Sequence, residues 1–114
     1  MNKILGFGEL MLRLTPSKHY DLISETNEFS ASFGGAEANV IIDLASRGHN
    51  CEFLTAFPEN EIGKKASSYL KNYGVDTSNI LFDNERLGKY YIEHGFSTRS
   101  SNIIYDRKNS SFSK

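Results

Sequence analysis

Three short apolar runs alternate with two helical repeats over the first 82 residues, and this order constrains the fold more than any other feature. The apolar runs cover residues 3–8, 51–56 and 79–82, which is the length of buried strands. Apolar side chains recur at helical spacing over residues 40–45 and 62–73, and a glycine that can end a helix follows each repeat. Strand, helix, strand, helix, strand is the order of a sheet with parallel crossover connections, so we predict an α/β fold.

Composition and charge exclude several classes of protein. The 114 residues carry a net charge of −1 and are 39% hydrophobic, which is typical of a single packed domain and not of a protein that binds nucleic acid or a membrane surface. No apolar run approaches the roughly 18 residues of a membrane span. The single cysteine, Cys51, excludes an internal disulfide and suits a reducing cytosol, so we expect a cytoplasmic protein. His19, His49 and His94 lack the spacing of metal ligands, and we expect no metal site.

The rest of the chain has a different pattern. Residues 89–93 and 102–107 have the pattern of two strands, and a turn-rich stretch, HGFSTRSS, joins them. We predict a β-hairpin or a small sheet here rather than another crossover. A further strand is predicted over residues 11–14, and the polar residues 15–32 are predicted to form loops or short edge strands. Two helices leave one face of a parallel sheet without cover, so we expect this chain to be the front part of a longer protein.

Two glycines, Gly34 and Gly35, directly precede the first helix and mark a candidate ligand site. Glycine lets another molecule approach the backbone closely, and the first turn of a helix presents unpaired N–H groups at the positive end of its dipole. A polar or anionic ligand can bind there. Asn39 follows one helical turn later, so its amide can point back toward the same place. The alternative is a tight loop that enters a packed helix.

The stretch GFGELM at residues 6–11 contains the first two glycines of a dinucleotide-binding fingerprint, but Met11 occupies the third glycine position. A strand is predicted after it where the fingerprint requires a helix, so nicotinamide or flavin binding is not favoured. Glu9 lies at the end of the first strand, at the edge where open α/β sheets bind ligands, and its carboxylate can accept hydrogen bonds from hydroxyl groups. The alternative for Glu9 is an exposed carboxylate in a turn.

The last two predicted strands carry aromatic and cationic side chains. With a period of two, Tyr90 shares a face with Ile92, and Ile103, Tyr105 and Arg107 share a face of the next strand. Tyr90, Tyr105 and Arg107 then line one surface if the register brings those faces together. Two phenols and a guanidinium suit a hydroxylated ligand that bears a carboxylate, because arginine binds carboxylates in a bidentate way. The alternative is a solvated sheet face with an ordinary arginine.

These stretches together resemble the ribokinase/pfkB family of carbohydrate kinases. The resemblance rests on GE at residues 8–9, on GGAEAN at residues 34–39 with a helix that ends in LASRG, and on FPENEIGKKASSYLKNYGVDTS at residues 57–78. It spans nearly the whole chain, in the order and spacing of the family. Within the family, GELMLRLTP, RLGKYYIEHG, Arg99 and IIYDRKNSS resemble 2-keto-3-deoxygluconate kinases, and fructokinases are the close relatives to exclude.

The resemblance implies a ribokinase-like fold, in which helices flank a central parallel sheet and a small β lid is formed here by residues 11–32 and 87–107. It implies substrate contacts from six residues: Glu9, Gly35, Asn39, Tyr90, Tyr105 and Arg107. The family often carries aspartate where Glu9 stands. A neutral hexose offers Arg107 no carboxylate, so the resemblance favours the keto-deoxy sugar acid as the substrate.

The family's second signature, D-T-x-G-A-G-D, does not occur in this sequence, and neither does a P-loop. In longer members that signature supplies the catalytic aspartate and the anion hole for the transferring phosphate. We therefore expect residues 1–114 to be the N-terminal sugar-binding part of a kinase. The full-length enzyme would use ATP and Mg²⁺, which this chain alone would not bind. Lids of this family often pair, so we expect a homo-oligomer, and a non-catalytic sugar-binding or dimerisation module is the alternative.

Overall fold

The computed structural model describes residues 3–18, 21–95 and 100–113. Within these ranges the chain forms eight strands and two helices, with the bounds β1 Ile4–Phe7, β2 Met11–Pro16, β3 Phe29–Gly34, α1 Ala36–Ser46, β4 Cys51–Leu54, β5 Ala56–Pro58, α2 Glu61–Asn72, β6 Leu81–Asp83, β7 Lys89–Glu93 and β8 Asn102–Asp106. Neither helix in the described ranges is long and apolar enough to cross a membrane.

Strands β1, β4, β5 and β6 form the body together with the two helices, and their pairings are parallel, as the sequence pattern predicts. β1 pairs with β4 in a register that puts Ile4 beside Cys51, and β5 pairs with β6. Thr55 lies between β4 and β5, and its carbonyl oxygen accepts a hydrogen bond of 3.1 Å from the backbone N–H of Leu81. The single strand predicted over residues 51–56 is therefore divided at Thr55, and each half pairs with a different neighbour.

The hydrophobic core lies between the body strands and the two helices. Phe53 of β4 and Phe57 of β5 are fully buried, and they belong to one cluster with Ile41 of α1 and Leu70 of α2. Gly6 of β1 allows α1 to approach closely, because a Cβ there would overlap the side chain of Ile41. The predicted alternation of strands and helices is confirmed, and this packing fixes the end of β1 next to the start of α1.

Asn60 caps α2, and we expect its removal to destabilise the body. Its side-chain oxygen accepts hydrogen bonds of 3.0 Å from the backbone N–H groups of Ile62 and Gly63. Because two helix donors lose their partner, Asn60→Ala should lower the free energy of unfolding by about 1 kcal/mol, which urea unfolding would measure. Asn72→Ala, at the other end of the same helix, is the matched control. Equal unfolding midpoints for Asn60→Ala and the unmodified chain would contradict the capping role.

The other four strands form one sheet, which we call the lid, in the order β3-β2-β7-β8. β2 is antiparallel to β3 and parallel to β7, and β7 is antiparallel to β8, so the predicted hairpin is confirmed. Residues 96–99 of its connection, which include Arg99, lie outside the described part, as does His19. Loops or short edge strands are predicted over residues 15–32, and the structure has one edge strand there, β3, which continues to Gly34. Pairing with all six residues of β2 orders this strand, and its own polar pattern does not reveal that partner.

Candidate functional site

A cavity of about 470 Å³ opens where the body meets the lid. The end of β1 and the start of α1 line it from the body, and residues of β2 and β8 line it from the lid. Four of the six predicted substrate contacts line this cavity: Glu9, Gly35, Tyr105 and Arg107. The fold therefore brings together residues from three distant parts of the sequence.

Glu9 is the buried acidic group of this cavity. Only 7% of its surface is exposed, so the alternative of an exposed turn carboxylate is wrong. Its Oε2 accepts a hydrogen bond of 3.2 Å from the hydroxyl of Ser110. Its Oε1 lies 3.2 Å from Nε of Arg107, but the pair lacks hydrogen-bond geometry, and Oε1 has no donor among the described residues. One buried carboxylate oxygen is thus left as an acceptor beside the cavity.

Arg107 follows β8 directly and reaches the cavity from the lid. Its side chain is 52% exposed, although its Nε lies against the buried carboxylate of Glu9. The alternative of an ordinary arginine on a solvated sheet face does not fit a guanidinium that is paired with a buried acid. A guanidinium has five N–H donors, so Arg107 can bind a second anion while it remains beside Glu9.

Tyr90 of β7 and Tyr105 of β8 lie opposite each other, with ring centroids 5.8 Å apart. Opposite residues of paired strands share a face, so the register meets the condition under which the two phenols lie on one surface. Tyr105 is 58% exposed and lines the cavity, whereas Tyr90 is half-buried. The hydroxyl of Tyr90 lies against Gly34, where a Cβ would overlap it. Gly34 is therefore needed for the position of Tyr90.

Gly35 is the N-cap residue of α1. A lack of room for a side chain, rather than an unusual backbone angle, explains why this residue is a glycine. Its φ of 163° is extended backbone that any residue adopts. A Cβ at Gly35 would overlap the backbone carbonyl oxygen of Glu9, so only glycine lets the helix start this close to the end of β1. No side chain caps α1 at this residue, and its first N–H groups lie at the cavity.

Asn39 and Tyr90 are the two predicted contacts that do not line the cavity. Asn39 is exposed one turn into α1, and its backbone N–H donates a hydrogen bond of 2.9 Å to the carbonyl oxygen of Gly35. A contact between its side chain and a sugar stays a prediction. The sequence patterns assign no role to Ser110, although it lies in the stretch YDRKNSS that carries part of the resemblance. The one feature of the sequence that could have pointed to Ser110 is its position three residues after Arg107.

A larger cavity, of about 640 Å³, adjoins the first one, and Phe7 and Phe112 line both cavities. Apolar residues dominate its lining, among them Leu81, which is 72% exposed, and Phe82, which is 43% exposed. It contains none of the six predicted contacts and no cationic side chain. Its chemistry suits apolar packing, so we assign the polar ligand site to the smaller cavity.

Comparisons with known proteins identify the family. Residues 1–114 match the protein family described as pfkB family carbohydrate kinase. A curated relative, the 2-dehydro-3-deoxygalactonokinase of Haloferax volcanii, is 32% identical over 105 residues, which cover 92% of this chain and 33% of the relative. The solved structure of 2-dehydro-3-deoxygluconokinase from Thermotoga maritima is 41% identical with a TM-score of 0.94, and the match covers 98% of this chain and 34% of that one.

A solved structure from Escherichia coli that is named as a ribokinase is 19% identical with a TM-score of 0.88, over 99% of this chain and 37% of that one, and shows the shared fold alone. The chain spans about one third of the length of each of these relatives. Its parallel body strands, its two helices and its lid are the corresponding part of a ribokinase-like fold. Since the family match extends over all 114 residues, the chain belongs to the pfkB family of carbohydrate kinases.

Proposed function

We propose that residues 1–114 are the sugar-binding part of an ATP-dependent kinase whose substrate is 2-keto-3-deoxygluconate, also called 2-dehydro-3-deoxygluconate. The observation that carries the proposal is that one cavity holds both the buried Glu9 Oε1, which accepts no hydrogen bond from the residues that the structure describes, and the half-exposed guanidinium of Arg107. A sugar acid has a hydroxyl to donate to the first and a carboxylate to pair with the second. The names of the Thermotoga maritima and Haloferax volcanii relatives support a keto-deoxy sugar acid.

In the proposed complex each cavity residue has a separate task. Glu9 Oε1 accepts a hydrogen bond from a sugar hydroxyl, and Arg107 binds the carboxylate. Tyr105 and Tyr90 close over the sugar from the lid, with Tyr105 nearer the cavity. The open helix start after Gly35 offers N–H groups to the remaining oxygens. The sugar's terminal hydroxyl is the group that receives the phosphoryl group, and its general base lies outside this chain.

ATP supplies the phosphoryl group in kinases of this family, with Mg²⁺ to neutralise the phosphate charge. The cavity does not fit a triphosphate, because Glu9 and Glu37 both line it and would repel the phosphates. Nucleotide binding is therefore assigned to residues outside 1–114. We also propose a cytoplasmic location, where ATP is available and where the buried free thiol of Cys51 stays reduced. Cell fractionation that finds the protein outside the cytoplasm would contradict this location.

A neutral sugar is the second candidate, and one observation favours it. Glu9, Glu37 and Arg107 give the lining of the cavity a formal charge of −1, which opposes the binding of an anionic sugar acid and does not oppose that of a neutral hexose. A fructokinase, or another sugar kinase of the family, would then be the parent enzyme. Calorimetric titration of this chain with 2-keto-3-deoxygluconate, its galacto epimer, fructose and ribose separates the two candidates. Binding of the acids alone supports the first proposal, and binding of fructose alone supports the second.

A non-catalytic module that binds sugar or dimerises is the third candidate, and the lid supports its assembly part. β3 and β8 are the edge strands of the lid, and Ile103 and Ile104 of β8 are 46% and 45% exposed. Exposed apolar edge strands pair readily with a second copy, so we propose a homo-oligomer through the lid strands. Sedimentation equilibrium should give a dimer that Ile104→Lys converts to monomer. A monomer at every concentration would contradict this assembly.

Residues 1–114 alone are expected to transfer no phosphoryl group. Phosphoryl transfer depends on groups positioned around the phosphate and its Mg²⁺, and the family signature that supplies them is absent from the sequence. An assay of ADP release with ATP, Mg²⁺ and 2-keto-3-deoxygluconate should give no turnover above background. The Thermotoga maritima enzyme in the same assay is the positive control. ADP release that requires the sugar acid and is lost in Gly35→Ala would contradict the expectation.

A further inference from the structure

We propose that Ser110 is a positioning residue for sugar binding, because its hydroxyl holds the Glu9 carboxylate so that Oε1 faces the cavity. The inference rests on the function proposed above and names a residue that acts on the sugar only through Glu9. Ser110 itself does not line the cavity, and it is 1% exposed. Ser110 is not among the six predicted substrate contacts.

The hydrogen bond between Ser110 and Glu9 selects one carboxylate oxygen. Ser110 Oγ lies 3.2 Å from Glu9 Oε2 and 3.2 Å from Ser113 Oγ, and its single proton serves one of them at a time. The carboxylate is the stronger acceptor, so the proton goes to Oε2. Ser113 in turn donates to the backbone oxygen of Ser110 at 3.2 Å. Oε2 is thereby occupied, and Oε1 is the oxygen that no donor reaches within the described part of the chain.

Gly88 confines the same carboxylate from the other side. A Cβ at Gly88 would lie 2.5 Å from Glu9 Oε2, so the carboxylate fills the space that a side chain would need. Without the Ser110 hydroxyl, Oε2 would have no donor among the described residues, and unsatisfied buried acceptors are costly. The carboxylate would then lose its fixed orientation, and Oε1 would no longer be held toward the cavity.

The turn that carries Ser110 also sets Arg107. The backbone N–H of Ser110 donates to the carbonyl oxygen of Arg107 at 3.2 Å, and Asn109 between them has a positive φ of 59°. Ser111 fastens the turn to the body, because its backbone N–H donates to the carbonyl oxygen of Arg86 at 2.7 Å and its hydroxyl donates to Asp83 at 2.6 Å. One turn therefore places both the cation of the cavity and the group that orients its acceptor.

The test is a double-mutant cycle on the 114-residue chain, with 2-keto-3-deoxygluconate affinity measured by calorimetry. Ser110→Ala should weaken binding roughly 10-fold, the loss expected for one misdirected charge-assisted hydrogen bond. In a Glu9→Ala background the same substitution should have no further effect. Ser67→Ala, which removes another buried serine hydroxyl on α2, is the matched control and should bind as the unmodified chain does. An undiminished affinity of Ser110→Ala, or an equal loss in both backgrounds, would overturn the positioning role.

A second measurement does not depend on the sugar. The side-chain carboxyl ¹³C resonance of Glu9, assigned by its loss in Glu9→Ala, should shift in Ser110→Ala and stay in place in Ser67→Ala. An unchanged resonance in Ser110→Ala overturns the inference whatever the sugar affinity. If the unmodified chain binds no sugar acid, the proposed function fails, and the resonance alone decides whether Ser110 holds Glu9. Should Ser110→Ala not fold, Ser110→Cys, with a weak donor of similar size, replaces it in both measurements.

Discussion

Gly35→Ala is expected to weaken sugar-acid binding strongly and to destabilise the chain. The added Cβ would overlap the backbone carbonyl oxygen of Glu9, and the nearby residues Leu10 and Ala38 belong to the core, so neither segment moves freely. The start of α1 must then move away from the end of β1, at a cost of about 1–3 kcal/mol in the free energy of unfolding. This movement also displaces Glu9 from the cavity, so affinity for 2-keto-3-deoxygluconate should fall by a factor on the order of 100.

Gly74→Ala separates the two effects of Gly35→Ala. Gly74 has a φ of +82° and open space around its Cβ position, so alanine there strains the backbone without a collision. We expect a loss of about 1 kcal/mol in stability and no change in sugar affinity, because Gly74 does not line the cavity. Urea unfolding and calorimetric titration measure both quantities. If Gly35→Ala binds the sugar acid as tightly as Gly74→Ala does, the cavity at Gly35 is not the sugar site.

Arg107→Met is expected to remove the preference for a sugar acid over a neutral sugar. The guanidinium is the cation that the cavity offers to a carboxylate, and a charge-assisted hydrogen bond contributes about 1.5–3 kcal/mol. Affinity for 2-keto-3-deoxygluconate should therefore fall roughly 10-fold to 100-fold. Affinity for fructose should stay the same, since fructose has no carboxylate. Stability should fall as well, because Arg107→Met leaves the buried carboxylate of Glu9 without the cation beside it, and solvent at the half-exposed Arg107 screens only part of this loss.

Two control variants show whether a loss of affinity in Arg107→Met comes from the guanidinium in the cavity. Arg107→Lys keeps the charge but loses the planar fork, so it should retain part of the affinity for the sugar acid. Arg47→Met removes an arginine that caps the C-terminal end of α1, is 71% exposed and pairs with Asp43. Arg47 does not line the cavity, so this variant should leave binding unchanged. Equal losses for Arg107→Met and Arg47→Met would mean that net charge, and not the cavity, governs the affinity.

Local patterns predicted the parts of the fold that depend on neighbours in sequence. The period of two predicted which side chains share a face within each strand, and the hairpin register of the structure then makes Tyr90 and Tyr105 direct partners. The glycine pair before α1 and the glycines after both helices marked the helix ends closely. Each of these features is governed by residues within a few positions, so a single sequence carries the signal.

Long-range contacts account for what the sequence patterns did not predict. β3 is ordered by pairing with β2, and the break at Thr55 arises because β4 and β5 pair with different strands. The contact between Glu9 and Ser110 joins residues 101 positions apart, so no local pattern reports it. The pairing of Arg107 with Glu9 likewise joins residues that are far apart in sequence.

A two-dimensional ¹H–¹⁵N NMR spectrum of the 114-residue chain, recorded with and without 2-keto-3-deoxygluconate, tests most directly whether the cavity between body and lid binds the sugar acid. We predict dispersed resonances, with shifts at Glu9, Gly35 and Arg107 that the sugar acid causes and fructose does not. A dispersed spectrum that the sugar acid leaves unchanged, or changes only around Leu81 and Phe82 in the larger cavity, would contradict the proposed site.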